Sequence, residues 1–160
     1  MKMKPGDTLP PATFTEMGER GPQPVTADEL FKGRTVVLFA VPGAFTPTCS
    51  AKHVPGFVQH FDDLKAKGVD DIVCLSVNDA FVMGAWGKNQ GADGKVRMLA
   101  DGNGDFTRAV GLAFDASKFG MGERSQRYAM LVKDGMVKEL FVEEPGAFKV
   151  SSAEHMLAAI

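Results

Sequence analysis

The 160-residue sequence predicts an α/β fold in which helices flank a central mixed sheet. Three runs rich in apolar and β-branched residues alternate with helical segments, which is typical of parallel strands buried on both faces. These runs are residues 35–41, 71–77 and 96–100. Later, residues 128–132 and 136–142 flank an Asp-Gly pair, which indicates an antiparallel hairpin. The sheet is therefore expected to begin parallel and to end antiparallel.

The segment before the first buried strand is rich in proline and glycine. Residues 5–24 are predicted to be loop, with a short strand or hairpin around residues 12–16. Thr26 and Glu29 then form the Thr-x-x-Glu pattern of a capping box, so a short helix is predicted to start there.

The longest helix is predicted directly after strand 35–41. Thr46 has the properties of an N-cap, and Pro47 suits the first helical position. Apolar residues recur at helical spacing to about Lys67, and Gly68 ends the helix. Pro55 is expected to kink it, because its ring opposes the carbonyl four residues back.

Shorter elements complete the expected order. Further helices are predicted over residues 80–88, 105–110 and 151–159, the last with Met156, Leu157 and Ile160 facing inward. Residues 112–126 and 143–149 are predicted to be irregular.

Composition and charge exclude several classes of protein. Apolar residues make up 44% and charged residues 24%, which argues against disorder, and the length predicts one domain over residues 1–160. With 18 basic and 20 acidic side chains, neither nucleic acid nor a membrane surface is an expected partner. Two cysteines form no disulfide framework, and the N-terminus lacks an apolar signal segment, so we expect a cytoplasmic protein.

Cys49 occupies a position that makes a thiol reactive. It lies about three residues into a predicted helix, beside unsatisfied backbone N–H groups that favour the thiolate. Open α/β sheets also gather their sites at the carboxyl ends of strands. On this ground alone, a functional cysteine and one that only fills space are equal alternatives.

The residues around Cys49 resemble the active-site motif of peroxiredoxins, Pro42-x3-Thr46-x2-Cys49. Further blocks resemble the type II, or peroxiredoxin-five-like, branch, in its bacterial glutathione- or glutaredoxin-dependent kind. The blocks are residues 41–50 followed by 53–56, residues 76–82 with Trp86, and residues 127–132. They run in the family's order and spacing. The resemblance implies a thioredoxin-like fold and a thiol peroxidase that needs no cofactor.

The resemblance also implies a role for each residue of the motif. Cys49 would attack a peroxide oxygen, giving a sulfenic acid and releasing water or an alcohol. Arg127 would supply the cation that holds the thiolate, with Arg124 as the second candidate. Thr46 would exchange hydrogen bonds with sulfur and peroxide, and Pro42 would shield the pocket from water. Without the motif, Arg127 would be interpreted as a surface charge at a strand end, Thr46 as an N-cap and Pro42 as a residue that interrupts a loop.

The loop before the cysteine would bind substrate through Gly43, Ala44 and Phe45. Backbone N–H groups around Ala44 and Cys49 would hold the peroxide oxygens. His53 follows on the same helical face, where it is expected to support the site without carrying the reaction.

The sequence holds no partners for a metal site, because His60 and His155 lack other ligands at metal-binding spacing. The sequence also lacks the resolving cysteine that some type II members carry before the last helix, since residues 148–152 contain no thiol. Cys74 matches the separation of a second cysteine in some plant members, but its place in a strand predicts a buried structural residue.

An external reductant is therefore expected. The resemblance implies glutathione, with or without glutaredoxin, and thioredoxin acting through Cys74 is the alternative. The family also implies a homodimer. Phe45, Phe81 and Phe119 are candidate interface residues, unless they belong to the core.

Other function classes fit the sequence less well. A thioredoxin-type disulfide reductase needs Cys-x-x-Cys, and Lys52 stands at the second cysteine's position. A cysteine hydrolase needs a histidine base oriented by a third group, and the sequence shows no such triad. A redox-inactive interaction module would usually lack Cys49, Thr46 or Arg127. A peroxide sensor shares the first chemical step with a scavenger, so the two stay open.

Overall fold

A seven-stranded mixed sheet organises the protein in the computed structural model, which describes residues 2–160. The strands are β1 (Thr13–Gly18), β2 (Gly21–Thr26), β3 (Thr35–Ala40), β4 (Asp71–Ser76), β5 (Arg97–Ala100), β6 (Ala113–Asp115), β7 (Glu123–Ser125), β8 (Tyr128–Lys133) and β9 (Met136–Val142). Their order is β2-β1-β5-β4-β3-β8-β9, with β6 and β7 paired separately. Strands β3, β4 and β5 run parallel, whereas β8 is antiparallel to β3 and to β9. The predicted mixed sheet is confirmed, but it does not begin parallel. Residues 13–26, predicted to be mostly loop, form the β1–β2 hairpin, and β1 is antiparallel to β5.

Helices cover both faces of this sheet. They are α1 (Ala27–Phe31), α2 (Val54–Gln59), α3 (Phe61–Ala66), α4 (Ala80–Asn89), α5 (Asp105–Ala109) and α6 (Ala153–Ala159). Apolar side chains of α2, α3, α4 and α6 join one core cluster, and those of α1 and α5 join the other. Strands β3 and β4 are buried after their first residue because they contribute alternate side chains to both clusters.

The pairing of β3 brings distant parts of the chain to one edge of the sheet. Ala40, the last residue of β3, pairs with Tyr128, the first residue of antiparallel β8. The loop after β3 and the residue before β8 therefore lie at the same edge. The carboxyl end of β4 lies there too, because Ala40 also pairs with Leu75.

The long helix predicted after β3 is divided into three segments. Helical turns begin at Pro47, as predicted, but residues 49–53 form a π-helical turn. In that turn the Val54 N–H donates to the carbonyl of Cys49. Pro55 has no N–H to donate to the carbonyl four residues back, and its ring crowds that carbonyl. The helix therefore takes up a wider π-helical turn here, and not only the predicted kink. A second break, at His60, separates α2 from α3.

The segment predicted to be irregular over residues 112–126 contains a small antiparallel pair. Strands β6 and β7 have three residues each, and a 3₁₀ turn at Ser117–Phe119 lies between them. Strands this short carry too few residues for a recognisable alternation of apolar and polar side chains.

The β8–β9 hairpin and helix α1 form where the sequence predicts them. Asp134 and Gly135 have φ values of 49° and 77°, which is the left-handed pair of a type I′ turn. Thr26 caps α1, where its hydroxyl oxygen accepts the N–H of Glu29. Across residues 2–160, none of the helices combines the length and apolarity needed to cross a bilayer.

Candidate active site

Cys49 lies in the π-helical turn beyond the carboxyl end of β3, with no solvent-exposed surface. Arg127 immediately precedes β8, so the antiparallel pairing of β3 with β8 brings its side chain to the cysteine. The Arg127 Nη2–H group donates to Cys49 Sγ at 3.0 Å. This contact places a guanidinium at hydrogen-bond distance from the buried sulfur.

Thr46 contacts the same sulfur from the loop side. Its Oγ1 lies 2.8 Å from Cys49 Sγ and 2.7 Å from the carbonyl oxygen of Gly43. A hydroxyl has one proton, so the Thr46 hydroxyl can donate to only one of these two partners at a time. It donates either to a Cys49 thiolate or to the Gly43 carbonyl, and in the second case its oxygen accepts from a Cys49 thiol. Thr46 is not an N-cap through its side chain. Only its carbonyl opens the helix, by accepting the Ser50 N–H.

His53 is buried and bonded through both ring nitrogens. Its Nδ1 accepts from Arg127 Nη1 at 2.9 Å, and its Nε2–H donates to the Ser151 carbonyl at 2.8 Å. Burial, and secondarily the charge of Arg127, lower the pKa of His53 to about 3. The ring is therefore neutral at physiological pH and presents no free nitrogen to act as a base towards Cys49.

The loop of residues 42–45 is tightly constrained. Gly43 is buried, and a Cβ there would come within 3.1 Å of both Thr46 Cγ2 and Met121 Cε. Phe45 has a φ of 63°, an uncommon value for a residue with a side chain, and is half exposed. The Ala44 N–H donates to Asn78 Oδ1 at 3.0 Å, so this N–H is not free to bind a peroxide as expected.

Asn78 is a residue of the site that the sequence reasoning did not assign. Its Oδ1 accepts both the Ala44 N–H and the hydroxyl of Ser76, at the carboxyl end of β4. Trp86 likewise supports the site, because its Nε1–H donates to the Ser50 hydroxyl next to Cys49. The rule that sites gather at the carboxyl ends of parallel strands could have found Asn78.

A cleft of about 680 Å³ opens beside the cysteine, with Pro42, Thr48 and Arg127 in its lining. Arg124 does not line it. Its Nε–H donates to the Met121 carbonyl, and its Nη1 lies near Gly43. Of the two arginine candidates, the structure places Arg127 on the sulfur.

Cys74 lies within β4, where it is buried and pairs across the sheet with Phe39. Burial, and then the neighbouring Cys49, raise the pKa of the Cys74 thiol well above its usual value. Cys74 is therefore a neutral thiol in the core, and both cysteines are free.

Comparison with known proteins identifies the family of this chain. The model of the Redoxin family matches residues 4–157. The chain is 54% identical over 160 residues to peroxiredoxin-2E-2 of Oryza sativa, covering 97% of this chain and 71% of the relative. It is 50% identical over 150 residues to peroxiredoxin sll1621 of Synechocystis, covering 86% and 79%.

Solved structures lead to the same family. Reduced Prx3 of Vibrio vulnificus in complex with H2O2 superposes with a TM-score of 0.94 at 54% identity, covering 98% of each chain. Peroxiredoxin 5 of Alvinella pompejana superposes with a TM-score of 0.86 at 37% identity, covering 98% of this chain and 97% of that one.

The thioredoxin-like fold and the cysteine site define the class of thiol-dependent peroxidases. The chain belongs to the Redoxin family and, within it, to the type II, peroxiredoxin-five-like peroxiredoxins.

Proposed function

We propose that Cys49 is the peroxidatic residue and that Arg127 and Thr46 activate it. The observation that carries this assignment is the pair of contacts on Sγ, 3.0 Å from Arg127 Nη2 and 2.8 Å from Thr46 Oγ1. The thiolate attacks the terminal peroxide oxygen, the O–O bond breaks, and sulfur is oxidised to sulfenic acid. The leaving hydroxide or alkoxide takes up a proton and departs as water or an alcohol.

The donors around sulfur suit the transition state of this step. Charge spreads over two oxygens as the O–O bond breaks, and fixed donors stabilise such charge when they are already in place. Arg127 supplies one donor, and the N–H groups of Thr48 and Cys49, in the first helical turn, supply others. Peroxide reaches the buried sulfur from the cleft, with Pro42 limiting the access of water.

The test of this assignment is the intact mass after one equivalent of hydrogen peroxide with no added thiol. A gain of one or two oxygens, absent in Cys49→Ser, supports a sulfenic or sulfinic acid at Cys49. A loss of two hydrogens at monomer mass would instead indicate a Cys49–Cys74 disulfide. An unchanged mass would refute the assignment.

The proposed reductant is glutathione, with or without glutaredoxin, in the cytoplasm. The support is that Cys74, the other cysteine of the sequence, is a buried neutral thiol and a poor resolving group. Glutathione would form a mixed disulfide with Cys49 and release water, and a second thiol would restore Cys49. Turnover with glutathione and glutaredoxin but not with thioredoxin supports this reductant, and the reverse would overturn it.

We also propose a homodimer. Its support is that Phe45, Phe81 and Phe119 are 51%, 67% and 65% exposed, although large aromatic side chains usually gain stability by burial. Sedimentation of the reduced protein at micromolar concentration tests this proposal. A monomer across that range would contradict it.

A further inference from the structure

A buried carboxylate lies in the wall of the cleft, on a residue that the reaction itself does not use. Glu143 follows β9, and its Oε2 accepts the N–H groups of Lys149, Val150 and Ser151 at 2.7, 2.8 and 2.8 Å. The Ser151 hydroxyl donates to the same oxygen at 2.8 Å. Successive N–H groups that converge in this way form a concave site for an anion, occupied here by the protein's own carboxylate.

The carboxylate is ionised in this setting. Burial raises the pKa of Glu143, but the bonds from Ser151, Lys149 and Val150 outweigh burial and lower it below the usual value. Because hydrogen bonds to a charged acceptor are about twice as strong as neutral ones, the turn of residues 149–151 is firmly held.

This turn is connected to Cys49 by a continuous series of hydrogen bonds. The Ser151 carbonyl accepts His53 Nε2–H, which fixes the tautomer of the ring and turns Nδ1 towards Arg127. Arg127 Nη1 donates to that nitrogen, and its Nη2 donates to Cys49 Sγ. A second tie connects the same elements, because the Glu143 N–H donates to the Arg127 carbonyl at 2.9 Å.

We propose that Glu143 is a positioning residue for the peroxidase reaction. Its carboxylate holds the Ser151 carbonyl, the carbonyl orients neutral His53, and His53 holds the guanidinium of Arg127 against the sulfur. Without the carboxylate, the ring loses its fixed partner and Arg127 loses a defined acceptor for Nη1. The inference rests on the proposed role of Arg127 in stabilising the thiolate.

Glu143→Gln tests the inference, with Glu144→Gln as the matched control. Glu144 is the next residue, is exposed, and lines the same cleft, so its variant removes the same charge without disturbing the turn. The readout is the second-order rate constant of Cys49 oxidation by hydrogen peroxide between pH 5.5 and pH 9. We expect Glu143→Gln to be about tenfold slower at neutral pH, because misplacing a catalytic group by a fraction of an ångström has effects of this order.

Glu143→Gln should be slower than the wild type across this pH range. Glu144→Gln should follow the wild-type profile throughout. An equal loss in both variants, or a wild-type rate in Glu143→Gln, would overturn the inference.

The Arg127→Ala background separates positioning from general damage to the fold. If Glu143 acts through Arg127, adding Glu143→Gln to Arg127→Ala causes no further loss of rate. If the rate losses of Glu143→Gln and Arg127→Ala multiply in the double variant, the inference is overturned. A wild-type rate in Arg127→Ala alone would instead refute the proposed role of Arg127.

Ser151→Ala is the second variant if Glu143→Gln does not fold. It removes only the hydroxyl bond to the carboxylate and keeps the three N–H bonds. The inference then requires a smaller loss in the same direction, again absent in Arg127→Ala. A wild-type rate in Ser151→Ala, or a loss that persists in that background, would overturn it.

Discussion

Arg127 uses two nitrogens of one planar group for two different partners. Nη1 is held by a neutral histidine, and Nη2 is thereby directed at the sulfur. Because His53 is uncharged, it accepts this bond without competing for the positive charge. The full charge of the guanidinium therefore faces Cys49, as the proposed role of Arg127 requires.

Replacing Arg127 should slow peroxide reduction while leaving the fold intact. We expect Arg127→Ala to lower the rate constant of Cys49 oxidation by about 10²- to 10³-fold, the range for loss of one preorganised donor. Arg127→Lys should recover only part of the rate, because lysine keeps the positive charge but lacks the planar group that donates to His53 and Cys49 at once. Stopped-flow oxidation measures both. Arg124→Ala is the comparison, and a loss as large as that of Arg127→Ala would favour Arg124 as the activating cation.

Cys74 should affect stability more than activity. Cys74→Ser places a hydroxyl in a dry strand core, and an unpaired buried hydroxyl costs about 1–3 kcal/mol of the free energy of unfolding. Denaturant unfolding measures that loss, and peroxide turnover with glutathione should stay near the wild-type rate. A folded Cys74→Ser protein that forms sulfenic acid but cannot be recycled would show that Cys74 resolves Cys49.

At the scale of elements, the loop between β3 and the π-helical turn positions Thr46. Asn78 at the end of β4 fixes this loop through the Ala44 N–H, and Gly43 leaves just enough room for the Thr46 methyl group. The loop conformation therefore depends on a neighbouring strand and on the absence of one side chain.

Gly43→Ala should reduce activity through Thr46. The added Cβ would lie 3.1 Å from Thr46 Cγ2, which is closer than a normal contact, so the threonine must move away from sulfur. We expect about a tenfold slower oxidation of Cys49, with circular dichroism unchanged.

Gly56→Ala is the control for this prediction. It lies in α2 just after the same turn, and its added Cβ would meet neighbours only at 3.9 and 4.0 Å. Oxidation should be unaffected, and the free energy of unfolding should rise by about 0.5–1 kcal/mol. Equal losses of rate in both variants would indicate a general sensitivity of the helix and not a specific effect on Thr46.

At the scale of the whole molecule, two histidines give the stability of the fold opposite dependences on pH. His53 has a pKa of about 3 when folded and 6.5 as its ordinary value, so protons bind preferentially to the unfolded chain below pH 6.5. Side-chain bonding to Asp63, and then the charge of Glu154, raise the pKa of His60. The His60 contribution is therefore present at low pH and is lost as pH rises.

The free energy of unfolding should consequently fall as pH drops from 6.5 to 5, above the range in which most carboxylates titrate. The expected slope is up to about 1.4 kcal/mol per pH unit from His53. Urea titrations at several pH values measure it. The slope should disappear in His53→Asn and persist in His60→Gln, and a His53→Asn protein that keeps the wild-type slope would contradict the prediction.

The sequence by itself determined the central strands, the late hairpin, the mixed sheet and the position of Cys49, but not the full β1–β2 hairpin or the β6–β7 pair. Those features follow from local patterns, namely the apolar runs of β3 and β4, the Asp134-Gly135 turn and the motif from Pro42 to Cys49. The resemblance to peroxiredoxins added Arg127 to the candidate site, although it lies 78 positions after Cys49 in the chain.

Only the tertiary structure decided how the site is held together. Asn78 and Ser151 meet the site through contacts between segments far apart in the chain, and so does the bond from Arg127 to His53. No local pattern encodes such contacts. The widened turn at Cys49 combines the local effect of Pro55 with packing against β3. A hydrogen bond between distant residues forms only after the sheet has brought them together. For that reason, the bonds that hold Arg127 through His53 and Ser151 could be found only in the folded structure.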